Sequence, residues 1–187
     1  MRHIILVLMV AGLLWLSMAD IVYAAQTADI TVTVTCRSLG VTITGDPVTW
    51  ALGFVEVDSE VVKSAAIVVT NSGNASETYQ LMLTDPTNWA AVQTDAALAA
   101  EKYQLGAIFQ TTATGAPVAA DYVDSDDFVS TTYVTCTATK FAKTTGSGVN
   151  VPASGALDLW LYFHAPPSTA ETGSKSIIVT VKAIAGS

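Results

Sequence analysis

An all-β chain, folded as an antiparallel sandwich of about nine short strands, is what three features of the sequence predict. Apolar and polar side chains alternate with period two in one segment after another. Val, Ile, Thr and aromatic residues fill those segments, and clusters of Gly, Pro, Asn and Asp separate them. Successive strand side chains point to opposite faces, so each alternating segment reads as a strand with one face in a core and one outside.

The first such segment holds Ile30, Val32, Val34 and Cys36 on one parity and Thr31, Thr33 and Thr35 on the other. The same rule selects Val41 and Ile43, then Tyr79 to Leu83, Tyr103 to Phe109, Leu157 to Phe163 and Ile177 to Ala183. Further strands are predicted near Val48 to Val55, Val61 to Thr70 and Thr132 to Ala138. Gly45-Asp46-Pro47, Asn71-Ser72-Gly73-Asn74 and Gly146-Ser147-Gly148 mark chain reversals, because these residues tolerate positive φ or fix a bend. Between Asp85 and Glu101 the alternation stops, and the Ala-rich half reads either as a short helix capped by Thr94 or Asp95 or as a loop.

Arg2 and His3 precede an apolar run from Ile4 to Leu16, and Val22-Tyr23-Ala24 suits cleavage after Ala24. Residues 1–24 are therefore expected to be a signal peptide and residues 25–187 a single domain, exported to the cell surface or medium, with the periplasm as the other compatible compartment. No second apolar run long enough to span a membrane follows. The composition, 51% hydrophobic and 13% charged with a net charge of −8, excludes a disordered chain and the basic surface that nucleic acid requires. Removing Arg2 from the 8 basic residues and Asp20 from the 16 acidic ones leaves that balance unchanged.

The two cysteines both follow Val-Thr, as Val34-Thr35-Cys36 and Val134-Thr135-Cys136, on core-facing parity. Export favours a disulfide between Cys36 and Cys136, with two buried thiols as the alternative. The run Ala66 to Asn74 followed by Tyr79-Gln80-Leu81 resembles the strand, Asn/Gly turn and strand of secreted immunoglobulin-like domains in prokaryotic surface proteins. That resemblance implies an immunoglobulin-like sandwich in the broad sense, and a structural or adhesive role.

Catalytic motifs are absent from the sequence. His164 is the one histidine left after the leader, set at a strand end before Ala165-Pro166-Pro167, and reads as a surface residue. There is no G-x-S-x-G elbow, no H-E-x-x-H pair and no phosphate-binding glycine loop. The expectation is a protein that is not an enzyme and needs no cofactor.

Four features carry the candidate sites. Asp121, Asp124, Asp126 and Asp127 cluster in a predicted loop, as either a calcium site or a solvated acidic loop without EF-hand spacing. The strand before His164 sets Asp158, Trp160, Tyr162 and His164 on one parity, an aromatic stripe that binds a sugar or a partner if exposed, or lies under a crossing loop if not. Ile30, Val32 and Val34 form a strand that either completes its own sheet or crosses to a neighbouring subunit by strand complementation. Asn74-Ala75-Ser76 matches a glycosylation acceptor in a predicted turn. Two functions follow: a structural or adhesive surface protein, as an extracellular filament subunit partnered by itself or other surface proteins, or a polysaccharide-binding module.

Overall fold

A computed structural model describes residues 31–45, 49–112, 115–143 and 146–187. The chain divides into two compact units, Met1–Thr35 and Cys36–Ser187. In the first, the described residues 31–35 form no strand and are exposed. Ile30 and the expected signal peptide lie outside the described residues.

The second unit is all-β, with nine strands and no α-helix among the described residues. They are β1 (Val41–Thr44), β2 (Glu60–Val62), β3 (Ile67–Asn71), β4 (Glu77–Thr84), β5 (Ala90–Ala91), β6 (Lys102–Gln110), β7 (Val134–Thr135), β8 (Ala156–His164) and β9 (Ile178–Ala185). The expected segment from Val48 to Val55 forms no strand across its described residues: Gly53, at φ +69°, breaks the extended run, and Phe54 is fully exposed. Trp50, Leu52 and Val55 still pack against the core. The predicted strand from Val61 to Thr70 is split in two. Its halves, β2 and β3, pair with successive stretches of the same partner, Val61 opposite Phe163 and Val69 opposite Leu157. The region after Asp95 yields only a single 3₁₀ turn, Asp95–Ala97, and the Thr94 side chain does not cap it.

The strands form two sheets. One is six-stranded, in the order β1-β3-β8-β6-β5 with β2 also on β8, and the other is β7-β4-β9. Pairing is antiparallel except between β5 and β6, which run parallel, so the larger sheet is mixed rather than purely antiparallel. Alternation explains the core. Leu157, Leu159, Leu161 and Phe163 of β8 and Leu105, Ala107 and Phe109 of β6 face Tyr79, Leu81 and Leu83 of β4 and Val181 of β9. Tyr79 and Phe109, from opposite sheets, meet with ring centroids 5.6 Å apart.

The Asn71 turn is built by its own side chain. Oδ1 accepts the Gly73 amide at 2.8 Å, while Nδ2 donates to the carbonyls of Ala75 and Val151. Gly73 has no room for a Cβ, which would lie 2.4 Å from the Ser38 carbonyl.

Candidate functional site

The sequence-derived candidates disperse in the fold. The expected disulfide is absent: Cys36 and Cys136 are both free. Cys136 is buried as predicted, and burial pushes its thiol up to about 12. Cys36 is exposed, because residues 31–40 form no strand and the parity that would have turned it inward does not apply. Asn74, the glycosylation candidate, is exposed, and its side chain is occupied in holding this stretch. Its Nδ2 donates to the Cys36 carbonyl at 2.9 Å and its Oδ1 accepts from the Ser38 amide at 2.8 Å.

The four aspartates turn to different partners, and the described residues include no group of three or more His, Cys, Asp or Glu able to hold a metal ion. Asp121 pairs with Lys143, which holds its carboxyl below the usual range, and accepts the Val118 amide. Asp124 accepts the Asp95 amide, and Asp126 pairs with Lys140 at 3.3 Å. Asp127 is buried, accepts the Val123 amide, and burial raises its pKa to about 6. Each carboxylate therefore braces the 116–128 segment instead of joining its neighbours around a cation.

That segment is the crossing loop over the aromatic stripe. Trp160 is 7% exposed, Tyr162 4%, and Asp158 and His164 9% each. Tyr122 stacks on Tyr162 at 5.0 Å, and Phe128 meets the same ring at 5.8 Å. Close approach is possible because β6 carries Gly106 opposite Tyr162, where a Cβ would lie 2.6 Å from the Tyr122 ring. His164 is not a surface residue: it sits between β2 and β6, with Nε2 3.4 Å from an Asp58 carboxylate oxygen. Outer-face aromatics with a cover of their own make a second small core, not an open ligand surface.

What remains open lies between the sheets. A cleft of about 420 Å³ has Ile67 of β3 and Leu159 and Leu161 of β8 on its floor. Ile43 of β1, with Trp50 and Leu52 after it, lines one wall, and Lys175 to Val179 with Val181 line the other. Above it runs β9, among the described residues the longest strand with a partner on one side only. The odd residues of β4 bond toward the β7 side, as in Tyr79 to Gly148 and Leu83 to Ser130. The β4–β9 bonds therefore fall on the even residues, and the backbone groups of Val179, Val181 and Ala183 point to the free edge. Edges are usually blunted by charge, proline or a bulge. The only charged residue of β9, Lys182, lies instead over the Tyr133 ring beside β7, 4.9 Å from its centroid.

Comparison with known protein families found no match, and comparison with curated proteins found none.

The cleft and the β9 edge were not singled out from sequence. Ile177, Val179 and Val181 were legible as a strand face, but nothing local says that a strand will have one neighbour rather than two. Among the described residues, no helix is long and apolar enough to cross a membrane.

Proposed function

We propose that this chain is an exported, non-enzymatic structural subunit that joins copies of itself through β-strand addition. The observation that carries this reading is the conjunction of an eight-residue strand, one edge of which pairs with no described strand, and an apolar cleft directly beneath that edge. A strand added to such an edge gains main-chain hydrogen bonds, and its alternate side chains gain burial in the cleft. The immunoglobulin-like sandwich, in the broad sense, belongs to the same proposal and is supported by two sheets meeting over one core. Export, to the cell surface or the medium, rests on the apolar N-terminal run and its small-residue cut site.

The test is electron microscopy of the purified chain at rising concentration. Ordered polymers that dissolve when proline is placed on the β9 edge support the reading; a chain that remains monomeric at every concentration ends it.

A further inference from the structure

We propose that the β9 edge and its cleft receive the segment Ile30–Val34 of a second copy of this chain. This deepens the self-assembly reading and rests on it. The donor's described apolar residues lie uncovered in a single copy: Val32 and Val34 are 77% and 76% exposed, and residues 31–35 form no strand. The acceptor has room for it: the cleft's floor is buried, but its rim at Ile43, Trp50, Leu52, Ile177 and Val179 is only half-buried, and an inserted row of side chains would fill the space between.

The two match in period, length and charge. Side chains directly opposite on paired strands lie on one face of the sheet. A strand whose Val32 and Val34 stand level with Val179 and Val181 therefore turns both into the cleft and leaves Thr31 and Thr33 outside. Five residues from Thr31 to Thr35 span roughly 17 Å when extended, the same length as the five from Ile177 to Val181, all of which but Thr180 line the cleft. The segment from Ile30 to Thr35 carries no charge and its threonine hydroxyls stay on the outer parity, so no charged side chain is desolvated on entry. The intruding backbone meets the amides and carbonyls of Val179, Val181 and Ala183, which bond to no described residue.

Two full-chain variants separate donor from acceptor. Val32→Asp puts a carboxylate where the central donor side chain enters. Val179→Pro removes an edge amide without touching the β4 ladder, the one strand context in which proline is tolerated. Sedimentation and electron microscopy should show polymers for the parent chain and loss of polymers for each variant alone. An equimolar mixture of the two should give a species of twice the monomer mass, because one supplies an intact donor and the other an intact edge. If Val32→Asp polymerises like the parent while Val179→Pro does not, the occupant is a different strand and only the edge reading survives. If both polymerise like the parent, strand addition at β9 is itself wrong. A parent chain that is monomeric, but loses thermal stability on Val32→Asp, would mean that the segment completes its own cleft, and would overturn the proposal. Ala183→Pro repeats the acceptor test at the far end of the edge should Val179→Pro fail to fold, with the near-ultraviolet aromatic signal as the check on folding.

Discussion

The two apolar surfaces of the larger sheet are treated differently by the rest of the chain. On the outer face, Tyr162 and Ile108 are covered by Tyr122 and Phe128, and the covering segment is fastened by carboxylates, by the Ala107 to Asp127 backbone bond and by that from Val129 to Leu105. On the inner face the floor of the cleft is buried as well, but its rim at Ile43, Trp50, Leu52, Ile177 and Val179 is left half-buried. The free side of β6 is bonded in turn by residues of β5, by Val129 and by Phe141 and Lys143, whereas among the described residues the free side of β9 has no such series. An apolar surface that its own chain covers is core. One left half-open beside an edge that no described strand pairs is, on the reading proposed above, a place for another strand, and the difference lies in what closes it, not in how apolar it is.

The comparison can be broken most forcefully at the cover. Phe128→Ala should cost about 3–5 kcal/mol in a denaturant titration, as for a fully packed aromatic, since Phe128 is 3% exposed and packs on Tyr162. A loss near zero would mean that the cover is loosely held and the outer stripe accessible. Gly106→Ala should cost less, about 1–3 kcal/mol from overpacking, because the new methyl meets the Tyr122 ring.

Asp127 sharpens the same point through pH. Burial, with a smaller push from Asp126, raises its folded pKa to about 6, above the unfolded value of about 3.9. The folded state then holds the proton more tightly, so this group's contribution to stability is fully present below about pH 4 and is lost as pH rises through about 6. Relative to the parent, Asp127→Asn should flatten the pH dependence of the unfolding midpoint between those values. A parallel profile for the two proteins would show that the carboxyl is solvated.

At the open edge the expected change is smallest. Ile178→Thr, at a side chain 60% exposed on β9, should shift monomer stability by no more than about 0.5 kcal/mol. A markedly larger loss would show that this end of β9 is already covered.

Reading the sequence reached some elements and missed others for identifiable reasons. The inner parity of β8, Leu157 to Phe163, and of β4, Tyr79 to Leu83, was legible because period-two alternation records which side chains share a face. The 30–36 segment has the same alternation and forms no strand over its described residues, since alternation states that a strand is possible and not that a partner is present. Cys36 was misjudged with it. The four aspartates looked like one group on spacing alone, yet Lys143, Lys140 and the Asp95 amide, distant in sequence, draw three of them apart, and Asp127 turns inward to the nearby Val123 amide.

Local composition and periodicity thus established an all-β chain, most of its strands and the faces those strands bury, because these follow from side-chain direction along a pleated backbone. Which stripe is covered, which edge is left unpaired and where a cleft opens follow from contacts between residues far apart in the chain. Those contacts depend on strand order and register, and a repeat of two residues carries no record of either.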